Sequence, residues 1–245
     1  MKSSFDARDD VLLVTGGASG IGGATARAFA ERGGNAVVFD IAPSEDLAGL
    51  DRVEQVQVDV SDRDAVVEAV EAVVARHGRI DALVAGAAVQ PRCDVAGMDP
   101  RAWRRTLAVN LDGVVWCSQA VLPGMIARRS GSIVVFSSGL AHSGRAQASA
   151  YAASKGALIS YAKSLAAEVA DYRVRVNTIF PGVVDTAQFR AANPAGGERE
   201  YWSATTGIGE PDDVVGCLLF LLSDAATMTG STLTRERAFA EETVA

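Results

Sequence analysis

Short runs of β-branched and apolar residues alternate along the chain with longer stretches whose apolar positions recur at helical spacing. The runs are VLLVT (11–15), NAVVFD (35–40), VEQVQVD (53–59), IDALVA (80–85), SIVVFS (132–137) and RVNTIF (175–180), with a weaker one at STLT (231–234). Helical patterns fall between them at about 20–32, 62–76, 100–129, 150–171 and 211–223. Strands that read as continuous apolar runs are buried on both faces, and the intervening helices are what covers them. The pattern predicts an α/β protein: a doubly wound parallel sheet of about seven strands with helices on both faces. Ser61 followed by Asp64 reads as a capping box opening the second helix, and Gly78 follows its end. No linker, repeat or low-complexity tract interrupts the pattern, so one domain over residues 1–245 suffices. The segment 185–210 mixes Gly, Pro and aromatic residues and reads as one long irregular insertion, the usual form of a lid or binding loop.

The bulk numbers narrow the partners. With 245 residues, 49% hydrophobic and 22% charged, the chain can bury a large core. A net charge of −7 argues against nucleic acid or an anionic membrane as partner. The densest basic stretch, RAWRR (101–105), is accounted for by a solvated helix face. Cys93, Cys117 and Cys217 lie far apart without CxxC spacing, which predicts neither a disulfide framework nor a zinc site and fits a reducing cytoplasm. His77 and His142 are too few for a His-rich metal centre. The start, MKSSFDARDD, has no apolar core of a signal peptide, and no run approaches the roughly 20 apolar residues of a membrane span. The expectation is a soluble cytoplasmic protein without metal.

Directly after the first run comes TGGASGIGG (15–23), with Gly16, Gly20 and Gly22 at the turn from strand to helix. Glycines there let backbone N–H groups approach a pyrophosphate, which the helix N-terminus then stabilises. The spacing is GxxxGxG rather than GxGxxG, and a tight turn alone also needs glycine. Its place after a strand, before a helix and at the head of an α/β array favours a Rossmann-like nucleotide cradle. Asp40 ends the second run, where a carboxylate can accept from an adenosine ribose 2′-OH. A surface Asp at a strand end is common by itself; beside the cradle, the ribose reading gains. Asp59 and Val60 end the third run, where the adenine edge would lie. Ala18 and Ser19 in the loop are uncharged and FDIAPSEDL (39–47) holds three acids and no base, so NAD is expected rather than NADP.

Tyr151 and Lys155 stand four apart in YAASK and share a helix face. An ammonium about 4 Å from the phenol would favour tyrosinate by roughly 4 kcal/mol at an effective dielectric of about 20. That would make Tyr151 an acid/base near neutral pH. Taken alone, the pair slightly favours a half-buried Tyr packed on an aliphatic Lys stem, and other residues must decide.

With cradle and pair on one chain, the sequence resembles the classical short-chain dehydrogenase/reductase family from about residue 10 to 230. TGGASGIG (15–22) is similar to the family's TGxxxGIG, and YAASK (151–155) to its YxxSK. Ser138, thirteen residues before Tyr151, matches the catalytic Ser, and Asn110 in LAVNLDG matches the helix Asn. PGVVDT (181–186) resembles the PG-x-x-x-T segment, and GEPDDVVGCLLFLLSD (209–224) the late helix. The resemblance implies a catalytic set of Asn110, Ser138, Tyr151 and Lys155. Tyr151 would exchange the proton, Ser138 hold the substrate oxygen, and Lys155 tune Tyr151 and bind the nicotinamide ribose. Asn110 would keep a helix irregularity and an ordered water. It further implies cofactor contacts from Gly16, Ser19, Gly20, Ile21, Gly22, Asp40, Asp59, Val60, Gly86, Tyr151, Lys155, Pro181, Gly182, Val184 and Thr186.

The implied activity is NAD-dependent hydride transfer with a secondary alcohol or ketone. A catalytically silent NAD-binding sensor is the alternative, against which the complete catalytic set argues. An extended-family epimerase would need a larger C-terminal substrate domain. The family also buries the 150–171 and 100–129 helices against a symmetry mate, which implies a homo-oligomer, a tetramer or a dimer; the apolar positions of 150–171 cover more than one face.

Three departures stand out. The family's NNAG is AGAA here (85–88), which predicts an altered pocket floor; the Arg of its R-x-G-x-P is missing from GIGEP; and its C-terminal V-D-G-G is replaced by LTRERAFAEETVA (233–245). The substrate should be read by 89–95, 139–147 and 185–205, which supply Gln90, Arg92, Leu140, His142, Gln147, Phe189, Tyr201 and Trp202. The aromatics suggest a partly apolar alcohol or ketone, though they also serve to pack a lid shut. His142, four residues past Ser138, reads more readily as a solvent-facing loop histidine than as a substrate contact.

Overall fold

Alternate residues of each central strand enter opposite layers of core, because side chains on a strand point to opposite faces with period two. In β1 (Val11–Thr15), Val11 and Leu13 join one apolar cluster, while Leu12 and Val14 join the other. The computed structural model describes residues 5–194 and 197–237. β1 is followed in the chain by β2 (Asn35–Asp40), β3 (Val53–Gln57), β4 (Ala82–Ala85), β5 (Gly131–Phe136), β6 (Val174–Phe180) and β7 (Thr232–Thr234). They form one seven-stranded sheet in the order β3-β2-β1-β4-β5-β6-β7, parallel throughout.

The helices divide between the two faces. α1 (Gly20–Ala30) supplies Phe29 and α9 (Asp212–Leu222) supplies Leu218 and Leu221 to one layer. α2 (Arg63–His77), α4 (Gly113–Arg128) and α6 (Ser149–Val169) supply Val66, Met125 and Leu158 to the other. This is the doubly wound, Rossmann-like single domain that the alternation of runs predicts. The strand order reverses between β1 and β4, and a crevice opens at the carboxyl ends there.

Three local readings change. The cap of α2 is Asp62, whose Oδ1 accepts from the N–H groups of Asp64 (3.0 Å) and Ala65 (3.2 Å). Ser61 is spent elsewhere, its hydroxyl donating to Asp59 Oδ1 at 2.7 Å. Gly78 ends the helix in the left-handed region at φ +79°, as its position suggested. The helix expected over 100–129 is α3 (Pro100–Leu107), a π turn over Ala108–Asp112, and α4. The segment 185–210 is not irregular: it holds α7 (Ala187–Ala192), capped by the Thr186 hydroxyl accepting from Phe189 N–H at 3.1 Å, and α8 (Gly197–Thr205). A one-turn α5 (Leu140–Ser143) precedes α6. No helix among the described residues is long and apolar enough to cross a membrane.

Candidate active site

Gly16 leaves β1 at φ +66°, and its N–H donates to the Phe39 carbonyl at 2.8 Å. A Cβ there would lie 2.6 Å from Ala87 Cα, so the loop after β4 closes on the glycine turn backbone to backbone. A Cβ on Gly22 would lie 2.6 Å from the Gly16 carbonyl oxygen. Ser19 caps α1 through its backbone alone, without a side-chain bond and without an acid in the first turn. Uncapped N–H groups at a helix N-terminus fit the diphosphate of a dinucleotide. The AGAA floor is braced by Thr15 instead of by asparagine side chains: its Oγ1 accepts from the N–H groups of Gly86 and Ala87, both at 3.2 Å.

At the carboxyl end of β5, strand and α6 are tied twice. The Ser137 hydroxyl donates to the Lys155 carbonyl at 3.2 Å, and Lys155 Nζ donates to the Phe136 carbonyl at 2.9 Å. Lys155 is 2% exposed. Tyr151, four residues earlier on α6, is partly buried and lines the adjoining cavity with Ser138. Burial lowers Lys155 from its ordinary 10.5 to about 8. Burial also raises Tyr151 from 10.0 to about 12, against a smaller opposing pull from the Ser138 hydroxyl. Burial thus moves Tyr151 in the direction opposite to the expected depression by Lys155. The ammonium is spent on Phe136, 5.7 Å from the ring centre, and desolvation outweighs the pairing.

Asn110 sits in the π turn, fully buried. Its Oδ1 accepts from Val89 N–H (2.8 Å) while Nδ2 donates to the Val89 carbonyl (2.9 Å) and the Ser154 hydroxyl (3.1 Å). It joins the loop after β4 to α6 from behind the cavity.

A cavity of about 680 Å³ runs from the cradle past Tyr151 to α7 and α8, within the usual range for ligand sites. Gly16, Ser19, Gly20, Ile21, Gly22, Gly86, Ser138, Tyr151, Lys155, Pro181, Gly182, Val184 and Thr186 all line it. Asp40, Asp59 and Val60 do not: Asp40 ends β2, and Asp59 and Val60 follow β3 at the edge of the sheet. Asp40 Oδ2 accepts from Ala18 N–H in the glycine loop at 3.0 Å, and Oδ1 from Ile41 N–H at 2.8 Å. Asp59 is held by Ser61 and by Arg105 at 3.0 Å, and Val60 is buried against Gly113. Of the expected substrate side chains, Gln90, Arg92, Leu140, His142, Phe189 and Trp202 line the cavity, whereas Gln147 and Tyr201 do not.

Arg145 lines it too and was missed, although it is the one arginine of 139–147 and stands six residues before Tyr151. The altered C-terminus also arrives here. Thr234 and Glu236 line the cavity, Arg235 reaches Asp213 at 3.2 Å, and Arg237 donates to the Thr205 carbonyl at the end of α8 at 3.0 Å. Arg235, the residue after β7, thus brings a guanidinium to the first turn of α9. The rest of that segment, 238–245, lies outside the described residues.

A glycine cradle at the switch point of a parallel α/β sheet, opening into one cavity with a Tyr–Lys pair on its wall, defines a dinucleotide-dependent oxidoreductase. The family profile described as short chain dehydrogenase matches residues 10–196. The chain is 38% identical over 227 residues to cis-4-hydroxycyclohexanecarboxylate dehydrogenase of Sinomonas cyclohexanicum, covering 89% of this chain and 90% of that one. It is 39% identical over 235 residues to D-threitol dehydrogenase of Mycolicibacterium smegmatis, covering 91% and 90%. The crystal structure of a 3-ketoacyl-(acyl-carrier-protein) reductase from Brucella melitensis complexed with NADH superposes with a TM-score of 0.87 at 27% identity, over 95% of this chain and 98% of that one. The chain belongs to the short-chain dehydrogenase family, whose members are oxidoreductases that use a nicotinamide cofactor.

Proposed function

We propose that this protein is an NAD-dependent oxidoreductase that interconverts a secondary alcohol and its ketone, with Tyr151 as the acid/base. The observation that carries the reading is the placement of Tyr151, Ser138 and Lys155 on one cavity wall that continues into the glycine cradle. A bound nicotinamide supplies or accepts the hydride; the chain supplies orientation and proton management. Gly16, Ser19, Gly20, Ile21, Gly22 and Gly86 would hold the dinucleotide at the cradle, with Pro181, Gly182, Val184 and Thr186 closing over it. Asp40 would stand at the adenosine ribose, with Asp59 and Val60 flanking the adenine. Ser138 would hold the substrate oxygen, and Tyr151 would give it a proton in reduction or take one in oxidation. Lys155 would bind the nicotinamide ribose. Asn110 is a positioning residue that fixes the cavity wall through Val89. The segment 185–210 would be the lid over a small-molecule substrate.

Relatives named for a ring hydroxy acid and a polyol set the first panel: cis-4-hydroxycyclohexanecarboxylate, threitol and cyclohexanol, each with NAD and NADP, read by nicotinamide absorbance. NAD-linked turnover of any member supports the reading. Tight NAD binding with silence across a broadened panel would replace it by a nucleotide sensor.

A further inference from the structure

We propose that Arg92 and Arg145 form a subsite for a carboxylate carried by the substrate, so that the alcohol acted on is a hydroxy acid and its product a keto acid. The proposal rests on reading this cavity as the alcohol–ketone site. Glu198 of α8 already shows what the pair binds. Arg92 places one terminal nitrogen 2.9 and 3.1 Å from its two oxygens, and Arg145 meets it at 2.8 Å.

The two cations come from separate loops, one after β4 and one before α6, and both line the cavity. The loops are pinned together by Cys93 N–H donating to the Gln147 carbonyl at 3.0 Å, with Gln147 held in the left-handed region at φ 62°. The Arg145 guanidinium lies 4.8 Å over the Trp202 ring, which fixes its plane. The fork is thus built before any ligand arrives, the condition for bidentate recognition of a carboxylate.

Charge counting makes it a binding site rather than a latch. Arg92 and Arg145 are only 17% and 21% exposed, and Glu198 is the one carboxylate that pairs with them among the described residues. Glu236 also lines the cavity but pairs with neither arginine, so two largely desolvated guanidiniums share one carboxylate, more cation than a lid closure by a single arginine requires. A second carboxylate neutralises the group and uses donors that Glu198 leaves free. The surplus cation stands inside a chain of net charge −7, so it is a local attraction and not part of a basic surface.

The test compares kcat/KM for cis-4-hydroxycyclohexanecarboxylate, its methyl ester and its primary amide, with NAD, in the native enzyme and in Arg92→Gln, Arg145→Gln and Glu198→Gln. The native enzyme should favour the acid by at least about tenfold. Each Arg→Gln should cut the acid-to-ester ratio by roughly ten- to a hundredfold, the scale of hydrogen bonds to a charged group. Glu198→Gln should raise it, because the internal competitor is gone. A mere latch predicts three variants that shift acid and ester together, and an unchanged ratio overturns the subsite. If acid, ester and amide are all inert while cyclohexanol is oxidised, the subsite fails and the alcohol–ketone reading stands. If nothing turns over, that reading fails, and calorimetric binding of the acid against the amide to the NAD complex decides the subsite by itself. Equal affinity overturns it, and tighter binding of the acid supports it.

Discussion

Lys155 donates an ammonium hydrogen bond to the Phe136 carbonyl at 2.9 Å, and its nitrogen stays 5.7 Å from the centre of the Tyr151 ring. A buried cation whose one partner is a neutral carbonyl is held at a cost to stability. The cost shows in the titration. Burial lowers Lys155 from 10.5 to about 8 and raises Tyr151 from 10.0 to about 12, because in each case it disfavours the charged form.

Replacing Lys155 by Met should therefore stabilise the cofactor-free protein at pH 7 while abolishing its activity. The folded-state value lies below the unfolded one, so between about pH 8 and 10.5 the folded protein binds fewer protons. Native stability then rises with pH through that window, and the penalty is constant below it. The orphaned Phe136 carbonyl offsets part of the gain, leaving a rise of a few degrees at about 2–4 °C per kcal/mol. Melts at pH 7 and above pH 10 check the sign: the advantage of Lys155→Met should shrink at the higher pH. An equal advantage at both would remove burial as its cause.

Tyr151→Phe should lose roughly two to four orders of magnitude in turnover with the fold intact, the scale of one general acid/base. A phenol at about 12 is neutral near pH 7 and stands ready to donate, so reduction needs no prior ionisation. Oxidation needs a proton acceptor, and its rate should climb into the alkaline range. That climb should be missing in Tyr151→Phe. Near-native kcat in the variant would take Tyr151 out of the mechanism.

How far the sequence could be read follows from what each residue's neighbours along the chain decide. Strand runs such as VLLVT are buried on both faces, so their periodicity alone placed β1 and the whole parallel sheet. TGGASGIG and YAASK declare their chemistry within a few residues and fell on one cavity as expected. What escaped reading was set across the chain. Whether Ser61 or Asp62 caps α2 depends on Asp59 claiming the Ser61 hydroxyl. The sign of the Tyr151 shift depends on burial, which the i, i+4 spacing does not report. The Arg92–Glu198 pair spans 106 residues, and no local pattern announces it. Short helices α7 and α8 are held by packing and a Thr186 cap, and their mixed composition hides them.

Asn110→Leu should cost roughly 2–5 kcal/mol, since half-buried Val89 loses partners for both its N–H and its carbonyl and the Ser154 hydroxyl loses a donor. Val89 leads into Gln90 and Arg92 on the cavity wall, so kcat/KM should fall even in the fraction that folds. Urea denaturation gives the first number and assays well below the midpoint give the second. Unchanged stability would mean that the Val89 bonds do not hold the π turn.

The subunit surface makes a separate prediction, a homo-oligomer. Within one chain α6 leaves Ala153 exposed and Ala152, Ala157, Ile159 and Tyr161 only partly covered. An apolar helix face of this kind calls for a partner, and a symmetric contact between copies would bury it. Light scattering at micromolar concentration should give a tetramer or a dimer; a monomer contradicts both.

The last prediction concerns the choice between NAD and NADP, and it turns on Asp40. Its carboxylate sits between the glycine loop and the end of β2, accepting from Ala18 and Ile41 N–H, and no cation pairs with it among the described residues. A ribose 2′-OH can donate to it; a 2′-phosphate would meet like charge. That repulsion is roughly 1–4 kcal/mol over the range from bulk water to a protein surface. At about 1.4 kcal/mol per tenfold, NAD should be preferred by roughly ten- to a thousandfold in kcat/KM. Asp40→Ser is an ambiguous probe, because it also removes the brace on Ala18. Asp40→Asn keeps an acceptor for that N–H and deletes only the charge, so the NAD:NADP ratio should drop towards unity while turnover with NAD persists. An NADP preference in the native protein refutes the assignment. An unchanged ratio in Asp40→Asn, with the glycine loop intact, would place the discrimination elsewhere.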